Sequence, residues 1–245
     1  MTGPQFLEPQ PAPAPEAPFW GWADAALLFL LAGPSLLLSL AISKGLFLLL
    51  PKTGAAPQAM AVQFLFYGIW FSNLWLILKF RYGRPFWRSM AWIIPWPRMG
   101  LTIFIGPALV LAVVVLGEAL KTPIIDNAIQ RLLQDRLSII LVGFFATTLG
   151  PLAEELVFRG FLQPLLIVRV GAPLGIALAS APFALLHGPQ YSWSWQHIVL
   201  LFLASAVFGI TRWRTGSTAA STLVHATYNL AFYTGFLLQR KDLFS

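Results

Sequence analysis

Apolar runs about as long as a bilayer is thick recur along almost the whole chain, and that pattern leaves few folds open. A helix needs about 20 mostly apolar residues to cross the hydrocarbon core. With no water there, each backbone group must be satisfied internally, which restricts spanning structures to helices and closed barrels. The runs predict helices at about 25–43, 61–78, 101–117, 137–153, 154–170, 172–187, 197–211 and 217–238. The fourth and fifth join into one long helix if Pro151 and Pro164 bend it without breaking it. The expected fold is all-α, a polytopic transmembrane helical bundle with about seven or eight spans. Composition agrees, since only 10% of residues are charged, against roughly 25% in a soluble domain.

Three regions are expected. Residues 1–24 are Pro-rich and lack Lys and Arg, as in a disordered or polyproline tail. Residues 25–136 hold the N-terminal spans, with an interfacial segment near 85–97 (PFWRSMAWIIPWP) and a short amphipathic stretch at 118–136. Residues 137–245 hold the remaining spans. The net charge of +7 does not point to nucleic acid. Lys79, Arg81, Arg84, Arg88 and Arg98 form a cluster between apolar runs, the pattern of a cytoplasmic loop facing anionic lipid. Trp20, Trp22, Trp87, Trp92, Trp96, Trp193, Trp195 and Trp213 flank the runs, where indole rings mark the headgroup level.

Chemistry must come from a short inventory of nine acids, three His and no Cys. A charge near the bilayer centre costs at least ~2.5–3.5 kcal/mol and is by default a functional candidate. Glu154, Glu155 and Arg159 stand out in the run PLAEELVFRGFLQP. Glu155 and Arg159 are i and i+4, so they can pair on one helix. Glu154, about 100° around that helix, is left without a cation on its own helix. A structural ion cluster accounts for one carboxylate; neutralising one Arg does not require two.

His187 ends PFALLHG, and His225 lies one helical turn before Asn229, on the same face. His197, after WSWQ, reads as interfacial. If 154–170 and 172–187 form an antiparallel pair turning at Val170–Pro173, Glu154 and His187 both lie ~25 Å from the turn. Counted from the turn near Arg214, His225 and Asn229 lie ~16 and ~22 Å from that side. The four side chains can therefore meet in one intramembrane pocket.

These elements, in this order, resemble the CPBP family of intramembrane endopeptidases, which includes the CAAX prenyl protease and the bacterial Abi proteins. Its signatures E-E-x-x-x-R, F-x-x-x-H and H-x-x-x-N are matched by Glu154-Glu155-Leu156-Val157-Phe158-Arg159, by Phe183-Ala184-Leu185-Leu186-His187 and by His225-Ala226-Thr227-Tyr228-Asn229. Phe158-Arg159-Gly160 extends the first motif, and Thr215-Gly216-Ser217 supplies the small residues that commonly precede the last. Each motif alone is weak; all three in order are specific. The resemblance covers roughly 145–232 and makes 137–245 the catalytic core.

The resemblance implies an endopeptidase in which Glu154 and His187 activate water while His225 and Asn229 stabilise the oxyanion. Glu155, Arg159 and Phe183 would support them. Peptide hydrolysis needs such a base and such donors in any case. Glu154, His187 and His225 also form a set that could hold zinc with an open fourth position, so the cofactor is either none or a divalent metal. No H-E-x-x-H helix is present, which inclines the reading to metal-free.

The implied partners are the bilayer and a membrane protein or lipidated peptide substrate, with no nucleic acid. A multi-pass protein of a bacterial plasma membrane is expected. Two other readings compete. One is a proton-coupled transporter using the same Glu and His, against which the chain has no repeated halves. The other is a non-catalytic immunity or scaffold protein that retains the fold.

Overall fold

The computed structural model describes residues 17–94, 99–126, 131–133 and 135–239. Its helices are α1 (Trp22–Leu49, bent at Leu31), α2 (Ala55–Tyr82), α3 (Phe86–Ser89) and α4 (Met99–Ala119), then α5 (Arg136–Val170), α6 (Ala172–Leu186), α7 (Trp195–Thr215) and α8 (Thr218–Gln239). There is no strand among the described residues. By length and apolarity, α1, α2, α4, α5 and α7 can cross a membrane. α6 is apolar but has 15 residues, and α8 has 22 residues but carries His225 and Asn229.

The bundle is apolar outside as well as inside. Leu37, Leu48, Leu101 and Phe104 are exposed, whereas Ser35, Ser39 and Ser43 of α1 are buried against the bundle. Ser35 and Ser39 each donate to the carbonyl four residues back, at 2.7 Å, and Asn73 of α2 donates to Ser35 Oγ at 3.0 Å. Apolar side chains facing lipid and small polar ones between helices are what a bilayer solvent selects. α4 meets α8 at backbone distance: a Cβ on Gly106 would lie 2.7 Å from Val224 O and 2.5 Å from Tyr228 N. The chain is an integral membrane helical bundle.

The expected spans 137–153 and 154–170 are one helix of 35 residues. At 1.5 Å per residue, α5 is roughly 50 Å long, against a hydrocarbon thickness of about 30 Å. It turns into α6 at Gly171, whose φ of +80° suits a residue without a Cβ. The antiparallel pair expected from the spacing is therefore present.

Two other expected segments fall partly within the described residues. Of the Pro-rich 1–24 stretch, residues 1–16 lie outside the described residues, and Trp20 is buried in the bundle. Its ring stacks on Phe161 at 5.4 Å and its indole N–H donates to Phe161 O at 3.0 Å. Buried Asp24 accepts from Arg81 at 2.7 Å and from Tyr82 at 2.6 Å. The segment 85–97 is described to Ile94 and docks onto the start of α8. Met90 O accepts from Thr218 Oγ1 at 2.6 Å, Ala91 O accepts from Thr218 N at 3.0 Å, and Ile93 O accepts from Ser217 Oγ. Ser217 Oγ in turn accepts from Ala220 N at 3.0 Å, as an N-cap does. Trp96 and part of the 118–136 stretch lie outside the described residues.

Candidate active site

α5 owes its site geometry to its two prolines. Each follows a wide π-helical turn, Phe145–Leu149 before Pro151 and Leu156–Leu162 before Pro164. π turns of this kind concentrate at functional sites. In the first, Gly150 N–H reaches back five residues to Phe145 O. The next bond in that register would run from residue 151 to Ala146 O, and proline has no N–H to give. Asn229 fills the gap from α8, donating its Nδ2 to Ala146 O at 2.7 Å. A carbonyl can only accept, which also settles the orientation of the Asn229 amide.

Glu154 and Glu155 point into different surroundings. Glu155 is fully buried. Its Oε1 accepts from Arg159 at 2.8 Å and from His225 Nδ1 at 3.0 Å, and its Oε2 accepts from Ser221 at 2.5 Å. Arg159, equally buried, gives its other nitrogen to Ser205 O at 2.8 Å and to Ser205 Oγ at 2.5 Å. The guanidinium lies 4.8 Å from the ring centre of Phe183, 5.4 Å from that of Phe208 and 5.9 Å from that of Phe158. The i, i+4 pair expected from the sequence is present, enclosed by aromatic faces and satisfied hydroxyls.

Glu154 instead lines a cavity of about 640 Å³ together with His187, His225, Asn229, Phe183, Tyr67 and others. Neither Glu155 nor Arg159 lines it. The motif residues that reading the chain brought together therefore divide into four side chains on a shared cavity, a buried ion pair behind it, and a ring between. Phe183 is that ring, 4.8 Å from the His187 ring, 5.7 Å from the His225 ring, and against Arg159 on the way.

The His tautomers follow from their partners. His187 Nδ1 lies 2.8 Å from Phe183 O; a carbonyl accepts, so Nδ1 carries the proton and the neutral ring keeps a lone pair on Nε2. His225 directs Nδ1 at the Glu155 carboxylate and Nε2 towards Glu154 Oε2, 3.9 Å away. His197 also lines the cavity: it stacks on Tyr191 at 4.5 Å, and its Nδ1 is 3.0 Å from Ser194 Oγ. Burial pushes the Tyr191 phenol, in the turn between α6 and α7, above its ordinary range.

Three residues escaped the sequence reading. Tyr67 of α2 donates to Glu154 Oε1 at 2.5 Å, and Ser205 and Ser221 complete the Arg159–Glu155 pair. Ser and Tyr are common, and nothing in their spacing relates them to α5. Pro151 was the one legible hint of the Asn229 anchor.

The expected ligand set fits a metal poorly. No three His, Asp or Glu side chains among the described residues are gathered closely enough to hold an ion.

A lone pair on one His, a carboxylate and an amide donor lining one cavity are the groups that acid–base chemistry within a membrane bundle would need. Residues 136–231 match the family model for Type II CAAX prenyl endopeptidase Rce1-like proteins. No curated protein and no solved structure matches the chain. Across α5 to α8 the chain is thus similar to Rce1-like CAAX endopeptidases, and that similarity supports an intramembrane endopeptidase in general.

Proposed function

We propose that Glu154 and His187 activate a water for attack on a peptide carbonyl, and that His225 and Asn229 stabilise the resulting oxyanion. The carrying observation is that these four residues, from three helices, line one cavity that excludes Glu155 and Arg159. The water gives a proton to Glu154 or to the free Nε2 of His187 while its oxygen bonds to the carbonyl carbon. The carbonyl oxygen becomes the oxyanion. It receives His225 Nε2–H and the second Nδ2–H of Asn229, whose first is held by Ala146 O. Since His225 Nδ1–H is already given to Glu155, donation from Nε2 requires a doubly protonated ring, with Glu155 on one side and Glu154 on the other. The C–N bond then breaks, and the proton held by the base passes to the leaving amine.

No step runs through a metal. The substrate class is a membrane protein or lipidated peptide, for which a cavity of about 640 Å³ with an apolar wall of Val113, Val114 and Leu200 has room.

The test is cleavage by Glu154→Gln, with membrane insertion and melting checked in parallel. Loss of hydrolysis in a folded protein is expected, and the inactive form should retain substrate for identification by mass spectrometry. Undiminished cleavage would remove Glu154 from the mechanism. Proton flux through proteoliposomes without peptide hydrolysis would favour a transporter instead.

A further inference from the structure

The matched domain begins at residue 136, yet the hydrogen bond on Glu154 comes from Tyr67, on a helix outside it. We propose that Tyr67 is a positioning residue of the active site: its phenol locks one oxygen of Glu154, leaving the other as the working base. This inference rests on the catalytic reading of Glu154 above.

Tyr67 O–H donates to Oε1 at 2.5 Å, a length proper to a hydroxyl on a carboxylate and stronger than a neutral bond. Oε1 is thereby occupied. Oε2 faces the gap to His225 Nε2, at 3.9 Å. A carboxylate on a helix otherwise samples several rotamers, and the phenol holds the one that turns Oε2 to His225. Holding the base near its reactive geometry removes that freedom before substrate arrives.

The phenol is itself braced. Its ring meets Phe145 edge-on at 5.1 Å and Phe66 edge-on at 5.6 Å. Phe145 also packs on Phe64 at 5.1 Å, and it opens the π turn whose Ala146 carbonyl holds Asn229. One aromatic side chain thus touches the elements that orient both the base and the oxyanion donor. Gln63, one turn before Tyr67, lines the same cavity wall.

Tyr67→Phe removes one oxygen and leaves the ring contacts. The expected result is a fall in kcat of about 10–100-fold, the size seen when a group orienting a reactive residue is lost, with KM within about two-fold of wild type. A cycle with Glu154→Asp separates mechanism from stability. The shorter carboxylate withdraws from Tyr67, so Tyr67→Phe should cost little further in that background. Wild-type kcat in Tyr67→Phe overturns the proposal. So does an equal fold loss in both backgrounds, the mark of a general structural defect. Neither result touches the catalytic reading, which fails only if Glu154→Gln still cleaves.

Discussion

Glu154 and Glu155 are chain neighbours with opposite surroundings. Glu155 sits in a closed cluster where a guanidinium, an imidazole and a hydroxyl satisfy its oxygens. Glu154 faces a cavity, with a phenol on one oxygen and the other turned to His225. The Glu155 carboxylate has partners on both oxygens, and breaking such a buried pair is costly. The cavity-facing carboxylate has spare capacity, which chemistry requires. A turn of about 100° along one helix is enough to separate an enclosed carboxylate from a cavity-facing one.

The contrast breaks most sharply under single substitutions. Glu154→Gln should lower cleavage by at least about 10²–10⁴-fold, the usual range for a lost general base, with a melting temperature close to wild type. Glu155→Ala or Arg159→Ala should instead cost stability, by about 3–5 kcal/mol for an uncompensated buried charge, read as lost accumulation of folded protein in the membrane. If Glu155→Ala folded normally yet lost activity, the division between framework and site would fail.

Asn229 belongs to both sides of the comparison. Asn229→Ala should lower activity and also leave Ala146 O unsatisfied, at about 1–3 kcal/mol. Pro151→Ala restores an N–H at residue 151, so the stability cost of Asn229→Ala should shrink in that background. An unchanged cost, measured by thermal unfolding, would mean that the proline does not create the need for the Asn229 anchor.

Gly106→Ala tests the packing beneath the site, because its Cβ would collide with the α8 backbone beside His225. A loss of about 1–3 kcal/mol is expected for such overpacking.

The smallest effect lies at the N-terminal cap of α5. Hydrogen bonds from Ser138 Oγ and Ser138 N hold the Asp135 carboxyl, which caps α5, below its ordinary range. A lowered folded-state pKa adds stability above the ordinary carboxyl value and loses it as the pH falls through the folded one. Asp135→Asn should therefore melt slightly lower than wild type at neutral pH, and the gap should close on acidification.

Much of the site was legible because it is local. Glu155–Arg159 and His225–Asn229 are one-turn relations, which helical periodicity alone supplies, and the α5–α6 turn follows from apolar lengths on either side of Gly171. The merger of two expected spans into α5 was less legible, because a proline reads equally as an interruption or a bend. In the folded chain Asn229 supplies the hydrogen bond to Ala146 O that Pro151 cannot give. Trp20 illustrates the same limit: the sequence places an indole beside an apolar run, and only the fold supplies the Phe161 ring and carbonyl that bury it.

By itself the sequence determined that the chain is a helical membrane protein, and it singled out four polar side chains, Glu154, His187, His225 and Asn229, as candidates for a site. Hydrophobic length and the cost of buried charge act residue by residue, so both can be read from a string. The tertiary structure alone decided which glutamate is enclosed and which faces the cavity. It also decided that Tyr67, 87 residues away, reaches Glu154. Those outcomes depend on how helices far apart in the chain are rotated against one another, and side-chain packing, with the hydrogen bonds left open by Pro151, sets that rotation.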